Sequence, residues 1–88
     1  MRLIAFSVHG EDGKQVGCGR VRVRPGETPD AAMERRIRSD FAPGARFDER
    51  GYELRWLGPA TSRGLHVVDL CLNGTRLRRF VYERPEPA

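Results

Sequence analysis

Two Asx-Gly dipeptides, Asp12-Gly13 and Asn73-Gly74, each separate a pair of runs in which apolar and polar residues alternate. Such a pair between alternating runs is the strongest short-range signal for a β-hairpin, because both residues tolerate the positive φ of a type I′ turn. The chain is therefore expected to begin and end with a hairpin. In the first, the strands are Leu3 to Val8 and Val16 to Arg24. With Asp12-Gly13 as the turn, Ile4 faces Val21, Phe6 faces Gly19 and Val8 faces Gly17 on one side of the ribbon. The other side carries Leu3, Ala5 and Ser7 beside Cys18, Arg20, Arg22 and Arg24, the alternation of a half-buried strand. Gly17 and Gly19 precede strand rather than helix, so they are read as making room for Phe6 and Val8, not as a phosphate-binding loop.

In the second hairpin, Leu65 to Leu72 and Thr75 to Tyr82 flank Asn73-Gly74. A regular ladder would set Leu70 and Leu72 opposite Leu77 and Thr75, but it would place Arg79 on the apolar face and turn Phe80 and Tyr82 outward. A β-bulge at Arg78-Arg79 resolves the conflict, returning Phe80 and Tyr82 to the side of Leu77 and leaving both arginines near solvent.

Between the hairpins, Pro25-Gly26-Glu27 ends the second strand and Thr28-Pro29-Asp30 starts a helix. Thr28 supplies a side-chain cap, Pro29 fits the first helical position, and Asp30 sits at the positive end of the helix dipole. The helix is expected to reach about Phe41 and to stop at Pro43-Gly44. Met33, Ile37 and Phe41, with Ala32 beside them, form its buried stripe, while Arg35, Arg38 and Ser39 point away. Tyr52, Leu54 and Trp56 alternate with Glu53 and Arg55 as a further strand, ended by Gly58-Pro59. The order is ββαβββ, an α+β class with one helix packed on a mixed or antiparallel sheet. One domain is expected over residues 1–84, followed by a frayed tail at 85–88 whose prolines cannot continue a ladder.

The run Val21, Val23, Pro25, Thr28 and then helix resembles the strand-to-helix passage of ubiquitin-like β-grasp domains. The resemblance implies a β-grasp-like fold as one arrangement of these elements. The Gly-Gly end of a conjugated modifier is not matched by Pro87-Ala88, so modifier chemistry is not implied.

Eighty-eight residues, 39% apolar and 32% charged, suffice for one core and leave little room for a deep cleft. Met1 to Val8 holds too few apolar residues for a signal peptide or a membrane span, which points to the cytoplasm, with no membrane partner. There Cys18 and Cys71 would remain thiols. His9, Cys18, His66 and Cys71 lack the close pairing of metal ligands, so no metal and no cofactor is expected. On one strand His66 and Cys71 fall on opposite faces, as do His66 and Asp69, so neither pair forms a nucleophile and base. No catalytic residues are assigned and the chain is read as a non-enzyme.

The net charge is +4, and fifteen of the sixteen basic residues are Arg. The excess belongs to the strands: residues 1–26 sum to +3, residues 27–50 to −1 and residues 51–88 to +2. Arg20, Arg22 and Arg24 would form a basic ladder with a spacing of roughly 6.6 to 6.8 Å, near that of phosphates along a strand. Arg76, Arg78 and Arg79 extend it if both hairpins share one sheet, with Asp69 across from Arg78 as a partner. Among the aromatics, Phe6, Phe41, Trp56, Phe80 and Tyr82 fall on expected core faces, leaving Phe47 and Tyr52 as platforms for bases. Leu3, Ala5 and Leu57 on outer faces give a mixed apolar and Arg surface, the composition of protein interfaces. The expectation is a small protein-binding module, an adaptor or inhibitor of the size common among small regulators and mobile-element proteins. It would set its arginines or a free strand edge against an acidic protein surface. Sequence-nonspecific nucleic-acid binding through the same arginines is the alternative. The oligomeric state is open, with pairing of an exposed edge strand to a second copy as one route to a dimer.

Overall fold

Capping, turn chemistry and alternation produce the expected elements in a computed structural model that describes residues 2–41, 46–59 and 64–83. They are β1 (Arg2–His9), β2 (Gln15–Val23), α1 (Pro29–Phe41), β3 (Tyr52–Pro59), β4 (Leu65–Leu72) and β5 (Thr75–Glu83). The expected stop at Pro43-Gly44 and the tail at 85–88 lie outside the described residues. Thr28 caps the helix as read: its Oγ1 accepts from the Ala31 N–H at 3.1 Å and its carbonyl from Ala32 at 3.0 Å.

All pairings are antiparallel, in one five-stranded sheet of order β2-β1-β5-β4-β3. The two hairpins join through β1 and β5, where Phe6 faces Tyr82 and Val8 faces Phe80. The passage from β2 to α1 forms as the β-grasp resemblance implies, and with β1 and β5 antiparallel the likeness is confined to that passage. One face of the sheet lies under α1 and the loop before β3. There Ile4, Phe6, Val21, Val23, Val68, Leu70, Phe80 and Tyr82 bury themselves with Ala32, Met33 and Ile37, and Phe41 packs against the group half-buried. The Gly19 Cα lies under Phe6: a Cβ there would stand 2.7 Å from Phe6 Cζ. Gly17 has open space around it, so it makes no comparable room for Val8.

The expected pairs Ile4–Val21, Phe6–Gly19 and Val8–Gly17 form, but the turn joining β1 and β2 is of another kind. Asp12 does not take positive φ, and Gly13 alone does, at 85°. The Gly13 N–H closes the turn on the Gly10 carbonyl at 3.0 Å, and the Gly10 N–H meets the Lys14 carbonyl at 2.9 Å. Asp12 prefers this form because its Oδ1 accepts the Lys14 N–H at 3.0 Å, a local bond that competes with the tighter turn. The longer loop shifts the pairing by one, and a bulge that leaves Val16 unpaired shifts it back.

At the other hairpin both turn residues take positive φ, Asn73 at 51° and Gly74 at 88°, the type I′ geometry. The expected bulge exists but lies earlier, at Leu77: Leu70 faces Arg78, Cys71 faces Arg76, and Leu77 has no opposite. Phe80 and Tyr82 are thereby returned to the core, and Asp69 stands opposite Arg79 instead of Arg78. The bulge at Leu77 leaves Asp69 directly opposite Arg79.

Two aromatic assignments reverse. Phe47, read as an exposed loop residue, is 2% exposed and stacks on Tyr52 with ring centroids 5.2 Å apart. Trp56, read as core, is 42% exposed, because α1 covers the β2 side of the sheet and β3 lies at the opposite margin.

Candidate functional site: the uncovered sheet face

The face turned away from α1 is set by parity. It carries Arg20 and Arg22 from β2, Leu3, Ala5, Ser7 and His9 from β1, Arg76, Arg79 and Val81 from β5, Val67, Asp69 and Cys71 from β4, and Glu53 and Arg55 from β3. Both hairpins do share one sheet, so the two arginine groups can be compared directly. They do not form one ladder. Arg76 and Arg79 lie on this face, whereas Arg78, opposite Leu70, points to the helix side and flanks a depression with Phe41 and Asp40. Arg24 lies just past the end of β2, its N–H donating to Glu27 Oε1 at 3.0 Å.

Charge divides the face into two halves. On the β5-β4-β3 side two of the three arginines, Arg55 and Arg79, are neutralised by carboxylates. Arg79 forks onto Asp69, Nε to Oδ1 at 2.7 Å and Nη2 to Oδ2 at 2.9 Å. That hydrogen bonding holds the Arg79 guanidinium above its usual pKa against the opposing effect of partial burial. Arg55 donates to Glu53 Oε1 at 2.8 Å, and that hydrogen bond raises its pKa as well. Arg76 donates to the Glu11 carbonyl at 3.0 Å, tying β5 to the tip of the first hairpin. Arg79 lying over Asp69 accounts for the burial of that carboxylate on a face without a covering layer.

On the β2-β1 side, Arg20 and Arg22 are exposed, and among the described residues neither has a carboxylate partner. Between them and beside them stand Leu3, 57% exposed, and Ala5, paired respectively with Arg22 and Arg20 across the strands. The described residues of this face include no Phe, Tyr or Trp; the exposed indole of Trp56 is on the other side of the sheet.

Parity keeps His66 from Cys71 and Asp69, as read. His66 stacks on Tyr82 on the helix side, with its Nδ1 3.9 Å from Asp30 Oδ1, while the Tyr82 hydroxyl donates to that same oxygen. Cys18 is exposed and Cys71 buried, and both are free thiols. Among the described residues no three His, Cys, Asp or Glu side chains converge as a metal site, and no helix is long and apolar enough to cross a membrane.

One polar pair was missed: Ser7 and His9. Their Oγ and Nε2 atoms are 3.0 Å apart, and His9 Nδ1 lies 3.3 Å from the Gly13 carbonyl. A carbonyl only accepts, so Nδ1 carries the proton and, in the neutral ring, Nε2 accepts from the Ser7 hydroxyl. The i, i+2 spacing on one strand face was the available signal. The imidazole acts here as a strut between β1 and its turn, beside a depression of about 450 Å³ lined by His9, Leu65, Arg76, Arg79 and Val81.

No family model, no curated protein and no solved structure matches this chain.

Proposed function

We propose that this chain is a non-catalytic protein-binding module, an adaptor or inhibitor, that sets the β2-β1 half of its uncovered sheet face on an acidic protein surface. The observation that carries this reading is the contrast between the two halves. Arg55 and Arg79 spend their charge on neighbouring carboxylates, whereas Arg20 and Arg22 stand unneutralised among exposed Leu3 and Ala5. Cationic side chains with bidentate donors around apolar surface are what a desolvated protein contact uses. The same arginines could track a phosphate backbone, which is the second reading. Against it, stacking platforms for bases are missing from this face among the described residues.

The test pairs two measurements on the wild type and an Arg20→Glu/Arg22→Glu variant. Anisotropy of labelled single- and double-stranded oligonucleotides at two salt concentrations is expected to show no binding. A protein captured from lysate by the wild type is expected to be lost from the variant. Micromolar oligonucleotide binding that collapses with salt would replace this reading with the nucleic-acid one, and capture indifferent to the substitution would remove the face from the function.

A further inference from the structure

The two margins of the sheet differ. Along β2, Arg35 Nη2 donates to the Arg22 carbonyl at 2.7 Å and Arg36 Nη1 to the Arg20 carbonyl at 2.9 Å. Two helix arginines thus occupy acceptors of one edge strand, and the Val16 bulge interrupts the rest of it. Along β3, among the described residues, only the outward N–H of Tyr52 is covered from within, by the Phe47 carbonyl.

The direction of the polar groups along β3 follows from two bonds. The Gly51 carbonyl accepts from the Asn73 N–H at 3.0 Å, so it faces β4. The Tyr52 N–H instead goes to the Phe47 carbonyl at 3.2 Å. By alternation, the main-chain groups of Glu53 and Arg55 face β4, and those of Tyr52, Leu54 and Trp56 face outward. Among the described residues the outward groups of Leu54 and Trp56 have no partner. A bulge between Trp56 and Gly58 ends the regular edge.

We propose that β3 is where a second copy of this chain adds to the sheet, antiparallel, about a twofold axis through Leu54. The register is forced. Outward groups must meet outward groups, so the axis passes through a residue and not between two. At Glu53 it would oppose two glutamates, and at Arg55 two arginines; axes nearer the strand ends overlap fewer residues. At Leu54, Glu53 faces Arg55 of the second copy and Arg55 faces its Glu53, while Tyr52 faces its Trp56. Leu54 meets Leu54 through reciprocal N–H to carbonyl bonds, flanked by Trp56 N–H donating to the Tyr52 carbonyl. The two sides of the ribbon are also consistent. Tyr52, Leu54 and Trp56 lie on the helix side, opposite Leu72, Leu70 and Val68, so the half-bare Trp56 gains cover while the charges remain on the open face. Arg20 and Arg22 lie at the far margin and stay free, so this contact is independent of the function proposed above.

Sedimentation equilibrium from micromolar to millimolar protein, combined with amide hydrogen exchange, tests this. The mass is expected to rise from 10.0 kDa toward twice that value, with the Leu54 and Trp56 amides slowing as concentration rises. Glu53→Arg and Arg55→Glu are each expected to raise the dimer dissociation constant on the order of tenfold, and the double variant to restore it. Circular dichroism checks that each variant is folded. A monomer throughout the range, a dimer with unchanged exchange at Leu54 and Trp56, or a double variant no better than the single ones would each overturn the proposal.

Discussion

Glu27 holds Arg35 by both carboxylate oxygens, Oε2 to Nε at 3.1 Å and Oε1 to Nη2 at 3.0 Å, while that Nη2 also reaches the Arg22 carbonyl at 2.7 Å. One carboxylate therefore fixes the side chain that ties α1 to β2.

Acid should loosen this joint. The Arg35 hydrogen bond, then that of the Arg24 N–H, lowers the Glu27 pKa from 4.5 to about 2. A carboxylate with a depressed native pKa stabilises the fold in full above its unfolded value and loses that contribution as the pH falls through the native one. Melting temperature should thus fall between about pH 4.5 and 2 more steeply in the wild type than in Glu27→Gln. Parallel profiles would mean that the joint does not contribute.

Gly19→Ala should destabilise by about 1–3 kcal/mol, because the added methyl meets the Phe6 ring at 2.7 Å in a packed core. The Arg36 guanidinium, 5.5 Å from the ring centroid, limits how the ring can retreat. Denaturant unfolding measures the loss, and Phe6→Leu in the same chain should reduce the penalty of the alanine.

Asp69 is 9% exposed in its side chain and Arg79 37%, so removing the arginine strands a nearly buried carboxylate. Arg79→Leu is expected to cost about 1–2 kcal/mol, less than for a fully buried pair because water reaches the guanidinium. Asp69→Leu/Arg79→Leu should be more stable than Arg79→Leu alone. A double-mutant cycle in denaturant gives both values.

The exchanged aromatics give the widest contrast. Phe47→Ala should cost about 3–5 kcal/mol, as for a large core side chain, and Trp56→Ala less than about 1 kcal/mol in dilute protein. Comparable losses at the two positions would contradict the packing of the β3 margin.

Much of the architecture was legible because its signals are local. Asn73-Gly74 sets its own turn, Thr28-Pro29-Asp30 starts α1, and parity separates His66 from Cys71. The departures arise where side-chain bonding or strand register, and not residue type alone, decides. The Asp12 side chain selects a longer turn by bonding Lys14, and the bulge falls at Leu77, with Asp69 opposite Arg79. Phe47 sits in a polar loop, so nothing beside it in sequence announces that it stacks on Tyr52. For the candidate site, alternation placed Arg20 and Arg22 on the open face. It could not show that Arg78 turns under the sheet or that Arg79 is already neutralised, because both depend on how β5 registers against β4.

The arginine bonds on β2 bear on how this sheet can grow. Fibrils and open-ended filaments need two compatible margins on every subunit, one to accept and one to offer. Here Arg35 and Arg36 occupy one margin from within. A strand added at β3 is therefore the last to be added, so assembly along this sheet closes at a pair and does not propagate.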